Sequence, residues 1–342
     1  MQPISFVERI LDASVPDFDN GGAFKDVPII FRIDPLLGLS CRIISGEKLQ
    51  PTEPADVGIL RERRGFCPFC ADTIEEATAP FPRTVIPEGK VREGRCVVVP
   101  NVLAYSSYSA VGVYDPSRHF LGMGNFDEAL VGDALWAMVR HARAVKDHDR
   151  EMTYFSINAN YMPSSGSSLV HAHLQSSCDV VPLSMQRLRG EASRRFLMAN
   201  GRSYGEVLIE AERGGPRWIG ESGPVAWLTP FAPTGFHEVW GYVQGVRDVP
   251  ELDETTTRSL AHGVARVLGA YSGAHLSAFN FSLQGGGPDA KENGTELLFR
   301  IVSRAPIEPY YRSEITYFER LGLEAMIDQS PENWADTVRA HF

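Results

Sequence analysis

Residues 160 to 175 read Asn160-Tyr161-Met162-Pro163-Ser164-Ser165-Gly166-Ser167-Ser168-Leu169-Val170-His171-Ala172-His173-Leu174-Gln175. A loop rich in serine and glycine leads here into a segment of alternating side chains. Because positions i, i+2 and i+4 of a strand share a face, His171, His173 and Gln175 are predicted to point into one space. Backbone N–H groups of such a loop can bind a phosphate, and a neutral imidazole beside it can attack phosphorus. The alternative is a solvated edge strand with two unrelated histidines.

The elements around this segment recur in the same order roughly 125–130 residues later, which is the pattern of an internal repeat. The first set comprises the predicted strands Cys96–Val99, Val111–Tyr114, Met152–Ile157 and Leu169–Gln175, with a helix over Phe126–Val145. The second set comprises the predicted strands Ala226–Pro230, Val239–Tyr242, Ser277–Leu283 and Glu296–Val302, with a helix over Thr255–Tyr271. The sequence therefore predicts a duplicated α+β unit, with Arg187–Gly223 as the connector.

The N-terminal region is predicted to add a few short elements. The spacing of the apolar residues in Phe6–Leu11 predicts a short helix. Val27–Phe31 and Arg42–Ile44 are rich in β-branched residues and are predicted to be strands joined by a turn at Asp34–Gly38.

A second group of reactive side chains is Cys67-Pro68-Phe69-Cys70. A C-x-x-C pair provides two ligands of a tetrahedral zinc site, and distant histidines are the natural source of the other two. The alternative is a redox dithiol, which would follow directly on a strand, whereas a basic stretch precedes this pair. The remaining cysteines lie in apolar or strand contexts and are predicted to be core residues: Cys41, Cys96 and Cys178.

Composition limits the class of protein. The 342 residues carry 33 Lys and Arg against 43 Asp and Glu, a formal net charge of −10. This acidic balance argues against a broad nucleic-acid footprint, which needs a basic face. No apolar run is long enough to span a membrane, and the N-terminus has no signal-peptide pattern. We therefore expect a soluble cytoplasmic enzyme.

Three separated motifs resemble those of the galactose-1-phosphate uridylyltransferase family, the transferase branch of the histidine-triad superfamily. They are Arg32-Ile33-Asp34-Pro35-Leu36-Leu37-Gly38, the Cys67-x-x-Cys70 pair and Gly166-Ser-Ser-Leu-Val-His171-Ala-His173-Leu-Gln175. The resemblance implies two histidine-triad-like units that form a mostly antiparallel half-barrel sheet flanked by helices. Residues 1–195 would form the N-terminal unit, with the zinc site and the active strand, and residues 196–342 a degenerate C-terminal unit.

The resemblance also implies roles for individual residues. Zn²⁺ would be bound by Cys67, Cys70, His119 and His171. His173 would be the catalytic nucleophile, assisted by Gln175. The substrate-binding residues would be Arg32, Asn101, Asn160, Ser168 and Glu324.

By this resemblance, a nucleoside monophosphate moves between a nucleotide sugar and a sugar 1-phosphate through a nucleotidyl-histidine. Glutamine at position 175 can donate a hydrogen bond but cannot protonate a leaving group, which favours transfer to a phosphate over hydrolysis. The family implies a role in galactose or other carbohydrate metabolism, and a homodimer. Alternatives are a phosphorylase of ADP-sugars or dinucleoside polyphosphates, a dithiol oxidoreductase that uses Cys67 and Cys70, and a non-catalytic nucleotide-binding protein.

Overall fold

The structure is a computed structural model that describes residues 4–44, 56–61, 65–306 and 313–342. The strands are β1 (Val7–Asp17), β2 (Ala23–Ile33), β3 (Ser40–Ile44), β4 (Val91–Glu93), β5 (Cys96–Pro100), β6 (Tyr108–Val113), β7 (Tyr154–Tyr161), β8 (His173–Asp179), β9 (Trp218–Ser222), β10 (Val225–Leu228), β11 (Val239–Val243), β12 (Phe279–Gln284), β13 (Leu297–Ser303) and β14 (Ala325–Ile327). The α-helices are α1 (Gly58–Arg61), α2 (Ile74–Ala77), α3 (Glu128–His148), α4 (Ser184–Asn200), α5 (Tyr204–Glu212), α6 (Glu254–Gly273), α7 (Ala290–Asn293), α8 (Tyr317–Arg320) and α9 (Pro331–Arg339).

Ten strands form one antiparallel sheet in the order β4-β5-β6-β8-β7-β12-β13-β11-β10-β9. Counted from its two edges towards the centre, the first half runs β4, β5, β6, β8, β7 and the second runs β9, β10, β11, β13, β12. The halves meet where β7 pairs with β12, with Asn160 opposite Asn280 and Asn158 opposite Ser282. The predicted α+β class with a mostly antiparallel, helix-flanked sheet is confirmed. The division at residues 195 and 196 stays a prediction.

Helices α3 and α6 cover one face of this sheet and enclose the main core. Each helix begins at an aspartate whose side chain accepts a hydrogen bond from a backbone N–H, Asp127 from Leu130 (2.8 Å) and Asp253 from Thr256 (2.7 Å). Helix α6 passes so close to Trp227 that a Cβ at Gly263 would lie 2.2 Å from the indole ring. Helix α6 therefore packs closely against this face of the sheet.

The opposite face of the sheet is covered only at its two ends. In the first half, the segment with Cys67 and Cys70 packs on outward valines of β5 and β6. In the second half, α5, whose first residue is Tyr204, packs on outward apolar residues of β10 and β11. Between these two apolar covers lie the outward side chains of the four central strands, β8, β7, β12 and β13. Most of those side chains are polar, and we call this strip the central groove.

A second sheet, in the order β1-β2-β3-β14, contains a long hairpin of β1 and β2. The predicted helix over Phe6–Leu11 is wrong, because Val7 begins an eleven-residue strand that pairs throughout with β2. Both faces of this hairpin are largely exposed, so its sequence lacks the alternation that identifies a half-buried strand. Among the described residues, every helix is too short or too polar to cross a membrane.

The other predicted elements are found with shifted ends. The two amphipathic helices and the strands of both repeats are present. The predicted strand Leu169–Gln175 begins only at His173, so His171 precedes it. The predicted connector Arg187–Gly223 contains most of α4, all of α5 and the edge strand β9.

Candidate functional site

The first part of the site is a group of cysteine and histidine side chains beside β8 that could hold a metal ion. Ligand atoms of Cys67, Cys70, His119 and His171 all lie within 4.8 Å of one another. The Sγ atoms of Cys67 and Cys70 each lie 3.7 Å from His171 Nδ1, and Cys70 Sγ lies 3.4 Å from His119 Nδ1. Atoms bound tetrahedrally to one zinc ion at about 2.0–2.3 Å are about 3.5 Å apart, so these side chains fit the ion.

Local structure holds the two cysteines in a turn. The Thr73 hydroxyl donates to the carbonyl oxygens of Cys67 (2.6 Å) and Cys70 (3.0 Å), and α2 begins immediately afterwards. Both cysteines are buried. The sequence brings two ligands together through this turn, whereas His119 and His171 arrive from segments that only tertiary folding brings near.

Backbone carbonyls orient the two histidines of the His-x-His motif differently. His171 Nε2 lies 3.0 Å from the Asp115 carbonyl oxygen, to which it donates, so its Nδ1 lone pair is directed at the thiols. His173 Nδ1 lies 2.8 Å from the His171 carbonyl oxygen, which leaves the lone pair on Nε2. Burial lowers the pKa of His171 to about 4 and also lowers the pKa of His173.

The central groove begins at His173 and Gln175. Gln175 lies opposite Asn158, Asn158 opposite Ser282, and Ser282 opposite Arg300, so one row of polar residues crosses four strands. The Ser282 hydroxyl donates to Asn158 Oδ1 at 2.5 Å. This hydrogen bond fixes Asn158 and Ser282 in the polar row that begins at Gln175, two residues from the candidate nucleophile.

The loop before β8 is bound to the second half of the sheet. Met162 and Gly166 have φ angles of 72° and 93°, which fold the loop back over β7. Asn280 Nδ2 lies 2.6 Å from Asn160 Oδ1 and 3.0 Å from the Ser165 carbonyl oxygen. Asn280 on β12 therefore fixes both the loop and Asn160.

The structure brings together only some of the residues predicted to bind substrate. Asn160 lies on β7, next in register to His173 because Ala159 is opposite Leu174. Ser168 is exposed in the loop before β8. Asn101 follows β5, where its Oδ1 accepts from the Leu103 N–H.

Arg32 and Glu324 belong to the smaller sheet and its surroundings, where ion pairs engage both. Arg32 binds Glu8 (2.8 Å) and Glu332 (2.9 Å), and its guanidinium lies over Phe231. Glu324 binds Arg42 Nε at 2.5 Å. Within this chain, both side chains form ion pairs outside the central groove.

The other three cysteines are buried, as predicted for core residues: Cys41, Cys96 and Cys178. Burial raises the pKa of Cys41 to about 12 and raises the pKa values of the other two thiols even further. None of the three belongs to the cysteine and histidine group found among the described residues.

Comparison with solved structures identifies proteins of the same architecture. An ADP-glucose phosphorylase from Arabidopsis thaliana, with bound ADP-glucose, matches with a TM-score of 0.69 at 18% identity, over 90% of this chain and 98% of that chain. A GalT-like protein from the same plant matches with a TM-score of 0.70 at 19% identity, over 90% and 98%. A uridylyltransferase matches with a TM-score of 0.65 at 20% identity, over 91% and 97%.

The chain has the galactose-1-phosphate uridylyltransferase fold. The fold implied by the three sequence motifs is thereby confirmed. An uncharacterized protein of Archaeoglobus fulgidus is 29% identical over 324 residues, which are 93% of this chain and 94% of that protein. No family model matches the chain. Identities of 18–20% to the solved structures establish the fold, and the activity has to be argued from the site.

Sequence reasoning missed several polar residues of the groove: Asn158, Asn280, Ser282, Gln284 and Arg300. A signal was present, because Phe279–Gln284 alternates apolar with polar residues and places Asn280, Ser282 and Gln284 on one face. The local sequence does not show that β12 lies two strands from β8. It therefore does not show that this face of β12 and His173 lie on the same side of the sheet.

Proposed function

We propose that the protein is a nucleotidyltransferase that carries a nucleoside monophosphate on His173. One observation carries this proposal: His173 Nδ1 is held by the His171 carbonyl oxygen at 2.8 Å, so the Nε2 lone pair is available beside the serine-rich loop. Gln175, two residues later on the same strand face, and Asn160 on the neighbouring strand add hydrogen-bonding groups. This arrangement supports attack on phosphorus.

The proposed reaction has two displacements at the same phosphorus. His173 Nε2 forms a bond to the α-phosphorus as the bond to the leaving phosphate oxygen breaks, and that oxygen keeps the electron pair. The ring becomes positively charged, and the Nδ1–H bond to the His171 carbonyl stabilises this charge. A phosphate oxygen of the acceptor then attacks the α-phosphorus and releases neutral His173.

Gln175 fits a reaction in which no leaving group needs a proton. Its amide can donate to a phosphoryl oxygen that gains charge in the transition state, with Asn160 and Ser168 as further proposed donors. Sugar phosphates and inorganic phosphate leave without protonation near neutral pH. The nucleotidyl group is therefore proposed to pass between phosphates and not to water.

We propose that Zn²⁺ occupies the group of Cys67, Cys70, His119 and His171. When bound, the ion would supply a structural crosslink, since all four tetrahedral positions are taken by protein ligands. It would fix the His171 backbone, whose carbonyl oxygen holds His173. The two nearby histidines favour this assignment over a redox dithiol.

The leading substrates are a UDP-hexose and a hexose 1-phosphate, with a role in carbohydrate metabolism. The alternative activity is that of a phosphorylase that uses inorganic phosphate as acceptor. The fold shared with an ADP-glucose phosphorylase supports this alternative. Asn101 is the proposed nucleoside contact, since its Nδ2 is buried and lacks a partner among the described residues. Arg32 and Glu324 remain proposed substrate contacts, and we propose a homodimer in which a second copy completes the site.

The test is covalent labelling. The protein is incubated with UDP-glucose or ADP-glucose radiolabelled at the α-phosphorus, quenched and separated from free nucleotide. We expect a protein-bound label that is stable in base and lost in acid, as a phosphorus–nitrogen bond requires. Chasing the labelled protein with glucose 1-phosphate or inorganic phosphate then identifies the acceptor.

Two variants test whether the label is attached to His173. His173→Gly should abolish the label, while His262→Gln, at a partly exposed histidine of α6 that contacts Glu128, should label like the wild-type protein. Thermal melting confirms that both variants fold. A label that persists in His173→Gly, or no label from any nucleotide sugar, would show that the proposed covalent mechanism is wrong.

A further inference from the structure

A small cavity lies between α4, β11, β13 and the turn at Asp34–Gly38, and the reaction proposed at His173 does not use it. Its volume is about 20 Å³. One water molecule needs roughly 10–15 Å³, so the cavity holds one or two water-sized groups or a small ion. Its polar groups are supplied by Arg189, Arg300, Tyr242, Thr234 and Asp34.

Arg189 on α4 is a buried arginine without a carboxylate partner. The residue is only 6% exposed. Among the described residues, its one hydrogen bond runs from Nη2 to the Glu296 carbonyl oxygen at 3.4 Å, which leaves Nε and Nη1 without partners. Burial lowers the pKa of Arg189, but a guanidinium stays charged in proteins. Because an unpaired buried charge is unfavourable, an anion in the cavity would be stabilised.

The nearby carboxylate of Glu238 is already engaged by other donors. Its Oε1 accepts from Arg300 Nε (2.9 Å), from Arg300 Nη2 (2.7 Å) and from Trp240 Nε1 (2.7 Å). Its Oε2 accepts from the backbone N–H and the hydroxyl of Thr234. Glu238 therefore compensates the charge of Arg300 and not that of Arg189. Arg300 Nη1 forms no hydrogen bond within the described part of the chain.

Two further carboxyl groups lie near Arg189 without forming an ion pair with it, those of Asp34 and Glu296. Asp34 Oδ1 accepts from the backbone N–H groups of Leu36 (3.0 Å) and Leu37 (2.6 Å) in its own turn. Burial raises the pKa of Asp34 and raises the pKa of Glu296 to about 7. Both carboxyl groups are therefore poor counter-ions for the guanidinium.

Tyr242 on β11 adds a third donor to the wall. The residue is 3% exposed, and its hydroxyl forms no hydrogen bond to any described residue. The cavity thus combines the guanidinium of Arg189, Nη1 of Arg300 and this hydroxyl, all of them donors without acceptors. Negatively charged oxygen atoms are the acceptors that such donors bind most strongly.

The cavity adjoins the central groove but lies away from the reaction centre. It shares Thr234 and Arg300 with a space of about 180 Å³ in the groove, from which an anion can enter. Strand β13 lies three strands from β8, which is about 14 Å at the usual strand spacing. An anion bound here would therefore be separate from the phosphorus that His173 attacks.

We propose that this cavity binds a small oxyanion, with Arg189, Arg300 and Tyr242 donating hydrogen bonds to it. Phosphate and carboxylate groups share this chemistry. The bound ion would connect α4 to β11 and β13, so its binding should stabilise the second half of the sheet. The inference does not depend on the proposed nucleotidyl transfer, and its test uses no nucleotide.

Calorimetry at constant ionic strength tests the site with two probes, sodium phosphate and sodium acetate. We expect the wild-type protein to bind at least one of them. Arg189→Met should weaken that binding at least about tenfold, the effect of losing a charge-assisted hydrogen bond. Arg189→Lys keeps the charge without the planar guanidinium and should have an intermediate affinity. Tighter binding of phosphate would assign a tetrahedral ion, and tighter binding of acetate a carboxylate.

The matched control is Arg202→Met, at a surface arginine that pairs with Glu210. It should bind the probes like the wild-type protein. His173→Gly should also keep the binding that depends on Arg189, because the cavity lies away from the reaction centre. Loss of binding in His173→Gly but not in Arg189→Met would place the ion at the reaction centre and overturn the inference.

Thermal melting separates an anion site from a purely structural role of Arg189. Without either probe, Arg189→Met should melt at or above the wild-type temperature, because methionine replaces an unpaired buried charge by an apolar side chain. With the bound probe at saturation, the wild-type protein should melt at the higher temperature. A variant that is less stable by the same amount in both conditions would refute the site. Absence of binding of both probes to the wild-type protein would refute it as well.

Discussion

His171 and His173 are two residues apart, yet their protonated ring nitrogens differ. His171 donates through Nε2 to the Asp115 carbonyl oxygen, and His173 donates through Nδ1 to the His171 carbonyl oxygen. In each ring the other nitrogen keeps its lone pair. The lone pair on His171 Nδ1 is directed at the thiols, and the lone pair on His173 Nε2 is available for attack. Backbone oxygens therefore separate the proposed metal ligand, His171, from the proposed nucleophile, His173.

Asp248 offers a residue-scale prediction about stability and pH. Burial raises the pKa of this carboxyl to about 7, and its Oδ1 accepts from the Val249 N–H. Because the folded protein binds this proton more tightly than the unfolded chain, the group destabilises increasingly as the pH rises from about 4 to 7. Asp248→Asn should therefore raise the free energy of unfolding by about 4 kcal/mol at pH 8 and by less than about 1 kcal/mol at pH 4.

Urea denaturation at the two pH values measures this difference. Asp253 is the natural contrast, because its bond from the Thr256 N–H lowers its pKa. Asp253→Asn should destabilise the protein at pH 8 and lose that effect as the pH falls through the lowered pKa. An Asp248→Asn effect that is the same at pH 4 and pH 8 would contradict the assigned titration.

At the scale of elements, the two ends of the sheet are covered in different ways. Helix α5 covers the second half through the apolar side chains of Tyr204, Leu208 and Ile209. The cover of the first half is a short segment around α2, in which Cys67, Cys70 and Phe69 pack on valines of β5 and β6. A four-residue helix has little stability by itself, so we expect this cover to depend on the proposed zinc crosslink to His119 and His171.

Metal removal tests this dependence. We expect about one zinc ion per chain by elemental analysis, and a lower melting temperature after treatment with a strong chelator. Cys70→Ser should lose most of the zinc. Cys178→Ser, which alters a buried cysteine outside the metal group, should retain zinc even if its core is weakened. Full zinc content in Cys70→Ser, or a wild-type protein without zinc and insensitive to chelator, would refute the assignment.

At the scale of the molecule, an ion-pair network joins the smaller sheet to the rest of the chain. Arg32 on β2 and Arg217 before β9 both bind Glu332 Oε1 at 2.9 Å, and Glu332 lies in the first turn of α9. Arg217 also binds the buried Glu212 at 2.8 Å. Three regions distant in sequence are therefore held by one carboxylate.

Removing that carboxylate should weaken the whole molecule. We expect Glu332→Gln to lower the free energy of unfolding by about 2–4 kcal/mol, since it leaves two largely buried arginines with one partner fewer. Glu210→Gln at the exposed pair with Arg202 should change it by less than about 1 kcal/mol. Guanidinium denaturation measures both variants. Equal small effects would show that the network contributes no more than a surface pair.

Local sequence predicted the secondary structure correctly where one periodic pattern was strong. The long amphipathic patterns predicted α3 and α6, and the apolar β-branched runs predicted the strands of both repeats. It failed for Val7–Leu11, whose apolar spacing fits a helix, because pairing with β2 decides the conformation there. The family resemblance implies that Arg32 and Glu324 contact the substrate, and this stays a prediction; within the chain they bind Glu332 and Arg42.

The sequence by itself determined the chemistry available to this protein: a C-x-x-C turn, a His-x-His-x-Gln segment after a serine-rich loop, and two similar sets of strands and a helix. Short-range geometry is enough for these, since strand periodicity and turns depend on neighbouring residues. Tertiary structure alone decided that His119 joins the cysteines and that Asn280 binds the loop. It also decided that Glu314 lines a cavity at the ends of β12 and β13, because such contacts depend on how strands far apart in the chain pair and align.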